Sequence, residues 1–236
     1  MKDLIKDNMK FLAYNDNNIF INFSTAFNNV DFKKSTEEGK ENIERIKELF
    51  NLDEILYLNQ VHSDKIIDCK NNIIKFKGNV DGDSLVTDKE NVGIGVFAAD
   101  CTPVIVYDKD KKVISAIHSG WRGTFDEITK KTCEYMIKEY NCKDLKVIIG
   151  PHIRQCCYEV SIELAEKFKE KFGEEVVNNR NLSLEECIIK QLENIVDKNN
   201  IISVNKCTYC DDSYKFHSFR KTGQNSGRLF AFIFIK

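Results

Sequence analysis

Apolar and polar positions alternate along this chain at two periods, and the switches between periods mark its elements. Phe20 to Phe27 alternates like a strand. A polar stretch then leads to Ser35-Thr36-Glu37-Glu38, the start of a helix whose apolar face is Ile43, Ile46, Leu49 and Phe50. Ile55 to Leu58 predicts a short strand ending at Gln60 and His62. A Lys/Asn-rich stretch over 70–79 follows, then the turn Val80-Asp81-Gly82-Asp83-Ser84 with its carboxylates. Three strands come next, Val92 to Ala98, Pro103 to Tyr107 and Val113 to Ile117, with the polar turn Asp108-Lys109-Asp110-Lys111 between the second and third. Thr124-Phe125-Asp126-Glu127 has the spacing of a capping box and predicts a helix running to about Tyr140. Leu145 to Ile149 predicts a strand ended by Gly150-Pro151. Ser161 to Phe172 and Ser183 to Val196 predict helices, the second opened by Ser183 with Glu186. Ile201 to Val204 and Leu229 to Ile235 predict strands, the last apolar on both faces and therefore central. There is no repeat or Pro/Gly-rich linker, so the pattern predicts one α+β domain over residues 1–236.

Composition narrows the class. A chain of 236 residues, 42% hydrophobic and 31% charged, suits one globular domain or two small ones. A net charge of −2 without a long basic run excludes nucleic-acid binding by bulk electrostatics. Met1 to Lys10 is charged throughout and lacks the apolar core of a signal peptide, and no apolar run reaches membrane-spanning length. The expectation is a soluble, cytoplasmic protein with no membrane partner. Nine cysteines, an odd number with no export signal, then read as free thiols or metal ligands. Cys69, Cys133, Cys142 and Cys187 lie in ordinary helix or loop contexts where a small buried hydrophobe is the default.

The remaining cysteines and histidines carry the chemistry. Cys101 and His118 sit at the ends of apolar strand-like runs, and His62 lies upstream beside turn-forming residues. Two His and one Cys form the ligand set of a zinc centre that keeps a position open for water or substrate. Strand ends and loops are where functional groups concentrate. Asp83 and Asp100 fit proton transfer or the orientation of a ligand histidine, while Asp81 reads as a turn residue. A rival metal group is Cys207-x-x-Cys210 with Cys156-Cys157, a possible structural knuckle. Adjacent cysteines on a strand point to opposite faces, which counts against it. Ser119-Gly120-Trp121-Arg122-Gly123 is a glycine-bearing turn leading into a helix, a natural anion site to which Arg122 adds a planar fork. Of the 35 basic residues six are Arg, and four of those (Arg122, Arg154, Arg220 and Arg228) fall in the motif blocks, as expected where the fork is needed. Phe216 and Phe219 fit either base stacking or core packing. His152 reads as structural.

Taken together, Gln60-Val61-His62, Asp81-Gly82-Asp83-Ser84-Leu85-Val86-Thr87, Ala99-Asp100-Cys101-Thr102-Pro103-Val104 and His118-Ser119-Gly120-Trp121-Arg122-Gly123 resemble the laccase-domain family. This family was first described as multicopper polyphenol oxidases and is now regarded as purine nucleoside phosphorylases. Ile149-Gly150-Pro151-His152-Ile153, Cys156-Cys157-Tyr158-Glu159-Val160, Cys207-Thr208-Tyr209-Cys210 and Ser218-Phe219-Arg220 extend the match from about residue 55 to the C-terminus. The resemblance implies an α/β sandwich of mixed sheets flanked by helices, similar to a class of cysteine hydrolases. It implies zinc on His62, Cys101 and His118, with Cys156, Cys157, Cys207 and Cys210 close together but apart from the catalytic metal. The implied reactions are phosphorolysis of adenosine, inosine, guanosine and methylthioadenosine, and adenosine deamination. The partners are then a purine nucleoside and phosphate, the latter on Ser119, Gly120, Arg122 and Arg220, with Asp83, Asp100 and Cys101 as catalytic residues. A monomer is expected.

The N-terminal part departs from the family pattern. A Thr-Arg-x-Gly-Gly-type segment is usual after the first strand, and Ser24-Thr25-Ala26-Phe27-Asn28-Asn29-Val30 lacks its Arg and glycines, leaving Arg122 and Arg220 to compensate. Copper is not favoured: a Cys/His₂ set also suits blue copper, but four histidines are too few for a multicopper oxidase. An alternative is a cysteine or zinc amide hydrolase acting on a cell-wall peptide precursor, with Cys101 as nucleophile and His118 as base. Metal occupancy separates the two readings.

Overall fold

The computed structural model describes residues 1–70 and 76–236. The middle of the Lys/Asn-rich stretch, residues 71–75, lies outside them. In chain order the first half runs β1 (Lys2–Lys6), β2 (Met9–Asp16), β3 (Ile19–Ser24), α1 (Glu37–Leu49), β4 (Glu54–Asn59), β5 (Ile66–Asp68), β6 (Lys77–Asp81), β7 (Ser84–Thr87), β8 (Val92–Ala98), β9 (Thr102–Asp108) and β10 (Val113–Ser119). The second half runs α2 (Trp121–Phe125), α3 (Ile128–Tyr140), β11 (Leu145–Ile149), α4 (Ile162–Phe172), β12 (Val177–Asn178), β13 (Asn181–Leu182), α5 (Leu184–Leu192), β14 (Ile201–Ser203), α6 (Phe219–Thr222) and β15 (Leu229–Ile235).

Two mixed sheets pack face to face. One has seven strands in the order β1-β2-β3-β15-β8-β4-β6, the other six in the order β14-β11-β9-β10-β7-β5. Ile21, Phe23, Ile94, Val96 and Ile233 from the first sheet meet Ile105, Tyr107, Ile114 and Ile148 from the second. Each sheet's outer face is apolar too, and a helix covers it. Phe230, Phe232 and Phe234 of β15 alternate outward onto Ile43, Ile46 and Phe50 of the α1 side. Fully burying a side chain of that size contributes roughly 1.5–3 kcal/mol. On the other sheet Val104, Val106, Ile117 and Val147 pack on Ile128, Cys133 and Met136 of α3 and Ile188 and Leu192 of α5. The mixed α+β fold with helix-flanked sheets is thus as expected, and β15 is central, paired antiparallel with β3 and β8.

Two N-caps match the sequence signals. Thr36 accepts from the Gly39 N–H and Ser183 from the Glu186 N–H, both at 3.1 Å. The helix from Ser183 ends at Leu192, short of Val196. Thr124 does not cap a helix. Its N–H is already bonded to Gly120 O at 2.8 Å inside the short α2, and its hydroxyl meets Ser119 Oγ at 2.8 Å. Glu127 then takes a left-handed conformation (φ 60°) and α3 starts at Ile128. Among the described residues no helix is long and apolar enough to cross a membrane.

Candidate active site

One end of the sandwich collects the predicted ligands. The chain leaves the seven-stranded sheet at Ala98 and enters the six-stranded sheet at Thr102, so Ala99 to Cys101 is the whole crossover. Such a short link forces Asp100 to φ 94°, a conformation L-residues rarely adopt. Three hydrogen bonds hold it there: Ile153 N–H to Asp100 O at 2.9 Å, Thr208 Oγ1 to Oδ1 at 2.6 Å, and Arg220 N–H to Oδ2 at 2.7 Å. Cys101 follows directly.

Asp83 organises the two histidines. It is fully buried, and its Oδ1 meets His118 Nδ1 at 2.8 Å and accepts the His62 N–H at 3.1 Å. Its Oδ2 accepts the N–H groups of Val61 and Ser63 at 3.2 and 2.7 Å and the Ser63 hydroxyl at 2.8 Å. This shell fixes the turn that carries His62, itself left-handed at φ 60°. Burial raises the Asp83 carboxyl, but the His118 and Ser63 hydrogen bonds outweigh it and keep the group below the ordinary carboxylate range. A carboxylate on Nδ1 leaves His118 Nε2 for a metal, the usual way a ligand histidine is oriented.

One donor atom each from His62, Cys101 and His118 lies within 4.8 Å of the other two, with Cys101 Sγ 3.9 Å from His62 Nε2. His118 is buried, Cys101 half-buried and His62 exposed, so the group opens to solvent on one side. Two imidazoles, one thiolate and a carboxylate behind an imidazole fit a zinc ion with one position left open. The local charges agree. Burial opposes ionisation of Cys101, yet His118 and His62 bring its thiol below the ordinary range, and Cys101 with Asp83 raises His118 against the same burial. By contrast, burial pushes Cys69, Cys142 and Cys187 up to about 12. Gly120 has a steric role here, since a Cβ on it would stand 3.1 Å from both Cys101 Sγ and His62 Cδ2.

The trio opens into a cleft of about 690 Å³. Asp100 is the one carboxylate residue lining it among the described residues, against five cationic residues: Lys33, Lys34, Arg122, Arg220 and Arg228. Phe97, Trp121, Tyr158 and Phe219 add aromatic surface, Trp121 and Phe219 being exposed. Arg122 lies over Trp121 with its guanidinium 5.0 Å from the ring, and Arg220 over Tyr158 at 5.4 Å. Arg220 also donates to Glu159 O at 3.0 Å.

The lysines were not legible as site residues. Lys33 and Lys34 fall just after the segment that departs from the family pattern, in a chain with 29 lysines and nothing local to single them out. Lys34 donates to Asn59 Oδ1 at 2.8 Å, and burial lowers its ammonium despite the opposing charge of Asp81. Ser119 is fully buried with its hydroxyl on Thr124, and the helix behind it has five residues. Phe216 packs in the core between the sheets, whereas Phe219 reaches the cleft. His152 is buried with Nδ1 2.9 Å from Gly150 O, and His217 Nε2 lies 2.9 Å from Val30 O. Cys156, Cys157, Cys207 and Cys210 do come together, their sulfurs all within 4.8 Å of one another. The objection from strand geometry fails because Cys156 and Cys157 lie in a turn.

Residues 20–236 match the family described as "Multi-copper polyphenol oxidoreductase laccase". A purine nucleoside phosphorylase of Clostridium acetobutylicum is 44% identical over 238 residues, covering 98% of each chain. An adenosine deaminase from an unknown prokaryotic organism is 32% identical over 164 residues, 65% of this chain and 62% of that one. Among solved structures, a Bacillus licheniformis hypothetical protein superposes with a TM-score of 0.84 over 97% of both chains at 21% identity, a likeness of fold.

Proposed function

We propose that this chain, which belongs to the multi-copper polyphenol oxidoreductase laccase family, is a zinc-dependent purine nucleoside phosphorylase that also deaminates adenosine. The observation that carries this reading is the make-up of the cleft: a His₂Cys trio beside five cationic residues, one carboxylate residue and exposed aromatic rings. Cations suit phosphate, and Trp121 and Phe219 suit the faces of a purine. Copper oxidation by a multinuclear cluster is excluded on inventory. Of four histidines, His152 and His217 are engaged with backbone carbonyls, leaving two.

In phosphorolysis the bond from the purine nitrogen to C1′ breaks, a phosphate oxygen bonds C1′, and the base leaves with a proton. Arg122 and Arg220 hold the phosphate, with Lys33, Lys34 and Arg228 supplying the charge that the missing N-terminal Arg does not. In deamination water adds at C6 and ammonia departs. Asp100, which lines the cleft and whose carboxylate also accepts from Thr208 and the Arg220 N–H, is assigned the proton transfer in either reaction. Asp83 is a positioning residue, buried behind His118 and His62. A bound zinc ion would supply Lewis acidity at its open position. Ser119 and Gly120 shape the turn that brings Arg122 to the cleft.

A second reading has a specific observation behind it. Cys101 and His118 lie together, and each shifts the other towards its charged form, the direction that suits a cysteine hydrolase acting on an amide. The test is phosphate-dependent release of base from adenosine and inosine, with zinc content measured on the same sample. Turnover that falls with zinc on chelation supports the phosphorylase. Metal-free protein without turnover, whose Cys101 is alkylated at once by iodoacetamide, supports the hydrolase.

A further inference from the structure

We propose that Cys156, Cys157, Cys207 and Cys210 form a second metal site, a closed tetrathiolate centre for a zinc ion, distinct from the His62–Cys101–His118 group. A tetrahedral zinc with Zn–S bonds of about 2.3 Å places its sulfurs about 3.8 Å apart. Cys156 Sγ and Cys210 Sγ lie 3.6 Å apart, and all four sulfurs fall within 4.8 Å of one another. A disulfide needs about 2.05 Å, and all nine cysteines are free.

The backbone is built for the same ligand set. Cys207-Thr208-Tyr209-Cys210 is a Cys-x-x-Cys turn, the spacing of structural zinc sites. The Arg154 N–H donates to Cys207 Sγ at 3.5 Å. Such an N–H donor stabilises a ligating thiolate. Cys156 and Cys157 lie in a turn in which the N–H groups of Cys157 and Tyr158 both bond Arg154 O, at 2.9 and 3.0 Å. The turn aims both thiols at the Cys207 loop.

The metal would act as a staple. It ties the loop carrying Ile153 to the loop carrying Thr208, and both residues bond Asp100, at O and Oδ1 respectively. The same loops also meet directly, through Thr208 N–H to His152 O at 2.9 Å, His152 N–H to Lys206 O at 3.2 Å and Arg154 N–H to Cys207 Sγ at 3.5 Å.

The experiment is metal analysis of full-length protein purified without chelators, as wild type, Cys101→Ala, Cys210→Ser and the double variant. The expected zinc content is about two per chain, about one in each single variant and close to none in the double. Cobalt substitution of Cys101→Ala gives a second reading that needs no change in the cluster. It should leave the intense thiolate-to-cobalt charge-transfer bands of an all-sulfur tetrahedral centre. If the catalytic trio holds no zinc, wild type carries about one, kept in Cys101→Ala and lost in Cys210→Ser, and the proposal stands alone. Zinc unchanged by Cys210→Ser, or mass spectrometry showing these cysteines paired as disulfides in unreduced wild type, overturns it.

Discussion

The His62–Cys101–His118 trio and the four-cysteine cluster share a neighbour in Asp100 and differ in almost everything else. The trio mixes nitrogen and sulfur, draws its ligands from three distant segments and opens into the cleft. Its histidines are set by a fully buried carboxylate, Asp83, which makes five hydrogen bonds. The cluster is all sulfur, comes from two tight turns, and has the Arg154 N–H on Cys207 Sγ in place of a carboxylate. Ligand number and the groups behind the ligands decide which task a site suits. Three ligands with an oriented imidazole leave room for a substrate, whereas four thiolates leave none.

Removing a ligand from the trio should show this contrast most strongly. A catalytic metal is worth several kcal/mol of barrier, so Cys101→Ala is expected to lower phosphate-dependent turnover by roughly 10³-fold or more. Release of base from inosine measures it, and turnover within tenfold of wild type would place the reaction elsewhere. Asp83→Asn keeps every ligand and removes the charge behind His118. Zinc affinity measured by chelator competition should drop about 10–100-fold, while the tetrathiolate metal is retained. Arg220→Ala leaves both metal groups their ligands. Loss of a charged hydrogen bond, about 1.5–3 kcal/mol, should raise the KM for phosphate roughly tenfold or more with a smaller change in kcat. An unchanged KM would remove Arg220 from the phosphate site.

The smallest effect belongs to a control outside both groups. Asp16 accepts from Lys146 Nζ at 2.9 Å and Tyr107 at 3.0 Å, joining the two sheets. The Lys146 hydrogen bond, with help from Tyr107 and against burial, lowers its carboxyl from 3.8. A lowered folded-state value stabilises above the unfolded value and is lost as pH falls through the folded one. Asp16→Asn should therefore cost about 1 kcal/mol at pH 7 by denaturant titration. The difference from wild type should vanish as pH drops below 3.8, and at pH 7 the zinc content should equal that of wild type.

Cys101 and His118 were legible because they adjoin strongly apolar strands, where chain direction and side-chain position are well determined, whereas His62 lies in a turn beyond β4. Asp83 was legible as a partner but not in its detail, since three backbone donors in a turn leave no trace in residue type. β1 and β2 escaped the hydrophobic pattern because β1 is an exposed edge strand whose alternation is blurred by lysines. The Thr124 box failed because hydrogen bonding inside a five-residue helix outcompeted the cap. The adjacent cysteines were discounted on strand geometry, yet the local backbone turns. Lys33 and Lys34 could be found only by folding the chain.

β15 follows every other strand of its sheet in the chain and yet fills the middle of it, between β3 and β8. While a ribosome is still making the first 228 residues, those two strands have no partner on their facing edges. Two long apolar edges then stand open to other chains. Completion of the sheet waits until all its other strands have been made, and the cleft wall formed by Phe97 and Arg228 waits with it.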